Sequence, residues 1–271
     1  MKHVVYFSGG VGSWAAAKRV VAAHGPDDVT LLFADTKSED CDLYRFLDDA
    51  EKNIGIPITR LAEGRDIWQV FNDVRFIGNS RVDPCSKVLK RDVLDKWRND
   101  NCTPDDSIHY IGFEWSEGHR VERLRKRVAP WNYQFPMLDR PLMTKAGMIN
   151  WLTSEGIRPP RLYEMGMPHN NCAGFCIKAG HGQFRQLFKV LPNVYAYHEK
   201  QEELLRQKLD SNVSILKDRT GGETTPLTLR VFRERIESQK TPSLFEDEDW
   251  GGCGCATDYD ESDLVQSEAK A

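Results

Sequence analysis

Two groups of residues in this 271-residue chain have the types and spacing to do chemistry. The first is Ser8-Gly-Gly-Val-Gly-Ser13, lying between an apolar run that reads as a strand and an alanine-rich stretch that reads as a helix. Glycines there let backbone N–H groups approach an anion, and the helix start adds positive potential. Ser8, Gly9, Gly10, Val11, Gly12 and Ser13 are therefore expected to hold phosphate. The lysine of a Walker-type loop is absent, and so is the G-x-G-x-x-G spacing of a dinucleotide fold. An ordinary tight turn is the competing reading.

The second group is made of thiols. Seven cysteines stand at 41, 85, 102, 172, 176, 253 and 255. An odd number with no export signal argues against a disulfide framework, and the pairs Cys172/Cys176 and Cys253/Cys255 point to metal or redox chemistry. Cys41 and Cys102 are isolated and read as small apolar residues. Together those two pairs offer the four thiolates that zinc takes, and an iron-sulfur cluster, which also takes four in the common case, is preferred to zinc. No metal is the third reading. Cys253 and Cys255 also compete as nucleophiles, a role that needs a neighbouring cation or base.

Around these lie Arg120, Arg123, Arg125, Lys126 and Arg127, within nine positions. A solvated basic face is the plain reading. Turned inward, Arg123 or Arg125 would clamp a phosphate or sulfate, and a basic path to the loop would suit a nucleic-acid substrate. The tryptophans at 14, 68, 97, 115, 131 and 151 are assigned to packing. The net charge of −4 excludes a protein that coats nucleic acid along its whole surface. No run approaches the roughly twenty apolar residues of a membrane helix, so a cytoplasmic protein without membrane contact is expected.

The elements that must position these groups alternate. His3 to Phe7, Val29 to Asp35, Ile58 to Leu61 and Ser107 to Phe113 read as strands, and Ser13 to His24, Cys41 to Ile54 and Ile67 to Val74 as helices. That alternation predicts an α/β fold with a parallel sheet covered by helices on both faces. Helices are predicted at Met148 to Glu155, Gln183 to Val190, Val194 to Leu209 and Leu227 to Gln239. Residues 1–240 are read as one catalytic domain. Residues 241–271 carry nine acidic side chains against one lysine, and are expected to be a largely flexible tail with a Cys-x-Cys element.

Several segments resemble known ones. Ser8 to Ser13 resembles the pyrophosphate loop of the adenine nucleotide alpha-hydrolase (PP-loop) superfamily, Ser-Gly-Gly-x-Asp-Ser, with Gly12 in place of Asp. That departure speaks against full cleavage of ATP to AMP, and leaves phosphate binding intact. Leu31 to Thr36, with Glu39 and Tyr44, resembles the second strand of the phosphoadenosine phosphosulfate (PAPS) reductase branch, whose Asp-Thr tip lies near the adenosine; this assigns Asp35 and Thr36 to the nucleotide. Ile111-Gly-Phe113 and Glu122-Arg123-x-Arg125 resemble the branch's Gly-x-Arg…Glu-Ser-x-x-Arg segment, with Phe113 at the arginine position. Leu138 to Gly156, continuing through Leu162-Tyr163 and Gly166 to Cys172, resembles its later Pro-Leu…Leu-Tyr-x-x-Gly…Cys stretch. Cys85-Ser86-x-x-x-Lys90 resembles the Cys-Cys-x-x-x-Lys element of cluster-bearing reductases, which puts Lys90 among the catalytic residues. Cys172-Ala-Gly-Phe-Cys176 is similar to their later Cys-x-x-Cys, one residue longer, so the resemblance implies Cys85, Cys172 and Cys176 as ligands of a 4Fe-4S cluster, with a fourth ligand from elsewhere, Cys253 being the candidate, or none. Cys253 and Cys255 resemble the tail cysteine of cluster-free members.

The resemblance, spanning roughly residues 3–190, implies a helical C-terminal part and an adenine nucleotide (ATP, PAPS or its 3′-dephospho form APS) as substrate. It also implies reduction of a sulfonucleotide to sulfite, with a thiol reductant protein or sulfur donor as partner. Two alternatives stay open. One is an ATP-dependent sulfurtransferase that adenylates and thiolates a nucleobase or small molecule. The other is a non-catalytic nucleotide-binding module with structural zinc.

Overall fold

Period-two alternation of apolar side chains sends Val5, Leu31 and Phe33 to one face of a sheet and Val4 and Leu32 to the other. Five parallel strands build that sheet in the order β3-β2-β1-β4-β5: β1 Lys2–Tyr6, β2 Val29–Asp35, β3 Ile58–Ala62, β4 Ser107–Ile111 and β5 Asn132–Gln134. The computed structural model describes residues 1–78, 82–219, 222–238 and 250. Both faces of the sheet carry helices, as parallel pairing requires.

On one face lie α1 (Val11–His24), α2 (Cys41–Ile54) and α7 (Lys145–Ser154). Trp14, Phe46, Leu47, Met148 and Leu152 fill that layer with the inward side chains of β1 and β2. Helix α2 forms where it does for legible reasons. Asp40 caps its N-terminus by accepting from the Asp42 amide, Leu43, Phe46, Leu47, Ala50 and Ile54 recur at helical spacing, and Gly55 stops it in the left-handed conformation. On the opposite face, α5 (Asp92–Asn101) and α6 (Val121–Val128) cover Val4, Leu32 and Tyr133.

A second apolar cluster gathers α3 (Ile67–Val74), α9 (His181–Val190), α10 (Pro192–Leu209), α11 (Leu229–Ser238) and the antiparallel hairpin β6 (Leu216–Asp218) and β7 (Thr225–Leu227). Its polar centre is Glu202, 1% exposed, which accepts from the Ile215 and Leu229 amides. The single turn α4 (Pro84–Ser86) runs into a π-helical turn at Lys87–Arg91 and then into α5. This helical stretch was not among the sequence expectations, because its charged residues break the apolar period. Residues 239–249 and 251–271 lie outside the described part, and with them Cys253, Cys255 and almost all of the expected tail. No helix among the described residues is long and apolar enough to cross a membrane.

Candidate nucleotide-binding site

Chain direction reverses at the middle of the sheet. From β1 the chain moves outward to β2 and β3, and it returns to the other side of β1 as β4. Ligands of open parallel sheets bind at the carboxyl ends of the strands at such a switch point. There the loop after β1 faces the segment after β4. Gly9 adopts φ +78°, and a Cβ on Gly12 would stand 2.9 Å from the carbonyl oxygen of Gly112. Glycine at position 12 is thus required by packing: the first turn of α1 lies directly on the end of β4. The same contact ends β4 at Ile111 rather than at the expected Phe113.

A cavity of about 480 Å³ opens at this point, and Ser8, Gly10, Val11, Gly12 and Ser13 line it. A helix start leaves its first amides without carbonyl partners inside the helix. Here the Val11 amide donates to the Tyr163 hydroxyl at 3.3 Å, and the Ser13 hydroxyl donates to the Gly10 carbonyl at 2.8 Å. Asn170, 2% exposed, donates from Nδ2 to the Gly9 carbonyl at 2.8 Å, which ties the loop to the segment before Cys172.

Five cations (Lys90, Arg91, Arg120, Arg127 and Lys145) and three carboxylates (Asp95, Glu114 and Glu117) also line the cavity, an excess of positive charge suited to an anion. The π turn carries Lys90 and Arg91 toward it. Arg91 pairs with the fully buried Asp83 at 2.7 Å, which Lys178 approaches at 3.5 Å. Lys90 lies 3.4 Å from Glu39, and Lys145 3.2 Å from Glu114. Arg120 pairs with Glu117 and lies over the Phe113 ring, 4.6 Å from its centroid. Phe113 thus serves as the platform for an arginine. Desolvation, then the charge of Arg91, pushes the Arg127 guanidinium down although the residue as a whole is exposed.

Arg123 and Arg125, candidates for a phosphate clamp if turned inward, are exposed on α6 and do not line the cavity. Val121, Leu124 and Val128 take the buried side, and that spacing was the signal that would have set the helix phase. Trp115, assigned to packing, is 55% exposed beside the cavity-lining Glu114 and Ser116. Asp35 and Thr36 follow the cavity-lining Ala34 at the tip of β2, and their side chains are engaged in the turn. Asp35 accepts from Lys37 N, Lys37 Nζ and the Tyr44 hydroxyl at 2.8 to 2.9 Å. Burial pushes its carboxyl up, but those three donors together hold it below the usual carboxylate range. Thr36 donates to Glu39 at 3.0 Å.

Cys85, Cys172 and Cys176 are half-buried, and none of the three lines the cavity. Cys172 is the nearest in sequence, following the lining residue Asn171. Its amide donates to Glu39, the carboxylate that also meets Thr36 and Lys90. Cys172, Ala173 and Gly174 have successive φ values of +49°, +51° and +85°, a left-handed turn that costs strain at the two non-glycine positions. Among the described residues no three His, Cys, Asp or Glu side chains come together as a metal-binding group. Cys85, Cys172 and Cys176 are three thiols, one short of the four that an iron-sulfur cluster or a structural zinc takes in the common case.

At the base of the cavity, Tyr6 and Tyr133 share a hydrogen bond of 2.8 Å between hydroxyls. His109 and Arg98 extend this buried chain at 3.3 and 3.1 Å. Burial, then the neighbouring phenol, pushes the Tyr6 hydroxyl well up, so it is a neutral donor or acceptor and not a phenolate.

No protein-family model matches the chain. An uncharacterized protein of Methanocaldococcus jannaschii, MJ0066, is 26% identical over 209 residues, which make up 75% of this chain and 41% of that protein. The chain thus spans about two fifths of the length of the relative it matches.

Proposed function

We propose that this chain is a PP-loop nucleotide-binding enzyme of the PAPS reductase kind, which binds an adenine nucleotide at the end of β1 and carries out sulfur chemistry on it. One observation carries the reading: the glycine-rich loop Ser8 to Ser13 opens, at the sheet's switch point, on a cation-rich cavity. Phosphates take the amides that begin α1, with Lys90, Arg120 and Lys145 around them. In the reductive reaction a cysteine thiolate attacks the sulfonate sulfur, the S–O bond to phosphate breaks, and the nucleotide leaves with that electron pair. A thiol reductant then attacks the resulting thiosulfonate, which releases sulfite and forms a disulfide. Cys172 is the described thiol closest in sequence to the cavity wall; Cys253 and Cys255 lie outside the described residues.

Calorimetric titration with ATP, PAPS and APS tests the binding, and sulfite release tests the chemistry. Micromolar binding of at least one nucleotide is expected. Absence of binding by all three overturns the reading.

A second reading, ATP-dependent sulfur transfer to a nucleobase, is favoured by Trp115, exposed between the cavity-lining Glu114 and Ser116, and by the exposed Arg123 and Arg125 on α6, which suit a nucleic-acid strand. Pyrophosphate release from ATP on adding RNA, without sulfite from PAPS or APS, would select it.

A further inference from the structure

The cavity extends beyond the glycine loop. Its lining continues through Tyr6, Leu32, Leu94, Asp95, Arg127 and Tyr133, which belong to β1, β2, α5, α6 and β5. Tyr6, Leu32 and Leu94 pack together on the sheet face opposite α1, so a recess runs back between α5 and α6. Phosphates placed at the start of α1 leave this recess unused.

Among the described residues, positive charge exceeds negative along it. Arg91, Arg127 and Asp95 line the wall, and Asp83, Arg98 and Lys178 stand behind them. Asp83 is shared between Arg91 at 2.7 Å and Lys178 at 3.5 Å, and Asp95 pairs with Arg98 at 2.8 Å. Arg127 is a further cation beside these three and their two carboxylates. Desolvation, then the charge of Arg91, pushes its guanidinium down, with Arg98 acting in the same sense and Asp95 and Tyr133 against it. A guanidinium disfavoured by its own neighbours gains from an added anion, and its planar fork matches the oxygens of a phosphoryl or sulfuryl group.

We propose that this recess is a second oxyanion subsite, in which Arg127 holds a phosphoryl or sulfuryl group while the amides at the start of α1 hold the phosphates of the nucleotide. The inference rests on the nucleotide reading above only for what fills the loop. The two subsites use different chemistry, backbone amides at the loop and a side-chain cation at the recess. The group in the recess comes from a separate oxyanion or from a second phosphoryl group carried by the nucleotide itself.

The test is equilibrium dialysis of the full chain against radiolabelled sulfate in chloride buffer, without nucleotide and with saturating ATP, APS or PAPS. Wild type, Arg127→Ala, Arg127→Lys and Arg123→Ala are compared, and thermal unfolding reports their folding. Sulfate is expected to bind wild type beside saturating ATP. Arg127→Ala is expected to weaken that binding about tenfold or more, as loss of a hydrogen bond to a charged group implies, and Arg127→Lys to weaken it less. Arg123→Ala, exposed on the same helix, is expected to stay within about twofold. Exclusion of this sulfate by PAPS but not by APS assigns the recess to the nucleotide's second phosphoryl group, and binding beside both assigns it to a separate oxyanion. Failure of sulfate to bind beside saturating ATP overturns the inference without recourse to a variant. So does equal sulfate binding by wild type and Arg127→Ala. If no nucleotide binds wild type, the parent reading falls, and sulfate binding that depends on Arg127 leaves the subsite standing alone.

Discussion

Gly112 and Gly12 meet backbone to backbone: a Cβ on Gly112 would lie 2.4 Å from the carbonyl oxygen of Gly12 and 2.7 Å from its carbonyl carbon. Neither backbone can yield, since one belongs to the first turn of α1 and the other directly follows β4, a strand paired on both sides. Gly112→Ala is expected to destabilise the fold by about 1–3 kcal/mol, the usual cost of overpacking, with Gly12→Ala the milder of the two. Thermal unfolding measures it, at roughly 2–4 °C per kcal/mol for a chain of this size. An unchanged midpoint for Gly112→Ala would show that the two segments separate easily.

Cations that line the cavity should matter to an anion, and their neighbours on the outer face should not. Arg120→Ala and Lys145→Ala are each expected to weaken nucleotide binding by about tenfold or more, as loss of a charge-assisted contact does. Arg123→Ala and Arg125→Ala are expected to stay within about twofold, since exposed charges are screened. The ordering of the four dissociation constants is the readout. A reversed ordering would place the anion outside the cavity.

Glu39 holds the left-handed turn at Cys172 in place. Glu39→Ala removes the acceptor of the Cys172 amide together with the partner of Lys90, so the turn should open more often. Alkylation of Cys172, followed by peptide mass spectrometry, is expected to be roughly ten- to a hundredfold faster than in wild type, from the worth of a hydrogen bond to a charged group. Equal rates would mean that the turn is held by its own packing.

Two buried histidines set an acid limit on stability. Desolvation, with Arg98 nearby, pushes His109 down to about 4, and desolvation alone pushes His198 down to about 3, from an ordinary 6.5. His198 accepts at Nδ1 from Trp68 and lies stacked on Phe175, so its neutral form is built into the cluster. Both folded values are depressed, so the unfolded chain binds more protons below pH 6.5. Their contribution is complete above that pH and is lost as pH falls to about 4 for His109 and about 3 for His198. Urea midpoints should drop between pH 7 and pH 5, with less of a drop in His198→Phe.

Asp42 acts in a lower window. Hydrogen bonds from Arg45, against the opposing effect of burial, and then from the Arg161 amide, hold its carboxyl at about 2, below an ordinary 3.8. Arg158 adds a third contact at 2.7 Å, so this one carboxylate ties α2 to the segment that leads toward Tyr163. The stabilisation is full above pH 3.8 and is lost as pH falls to about 2. Asp42→Asn should lower the melting temperature at pH 7 and flatten the acid transition recorded by circular dichroism.

The sheet was legible in the sequence because its central strands are buried on both faces and read as unbroken apolar runs, as in Val29 to Asp35. Helix α2 was legible because cap, period and stop agree, and its bounds came out as expected. The three-residue β5 carries too few side chains to signal, with only Tyr133 buried. In the site, the glycine loop could be found because its function lies in its backbone, and glycines announce that. The inward cations could not be chosen by type alone, since Arg120, Arg123, Arg125 and Arg127 differ only in helix phase. Asn170 and Tyr163 gave no advance signal of contact with the loop; their role comes from a chain that returns to β1 more than 150 residues later.

The widened turn at Lys87–Arg91 makes spacing itself a constraint. Deleting one residue between Pro84 and Asp92 would barely alter composition, yet it would rotate everything upstream by about 100° around the axis of α5. Asp83, Cys85 and Lys90 would leave their neighbours in a single step. Chains that share this architecture should accordingly vary the letters in that interval far more freely than its length.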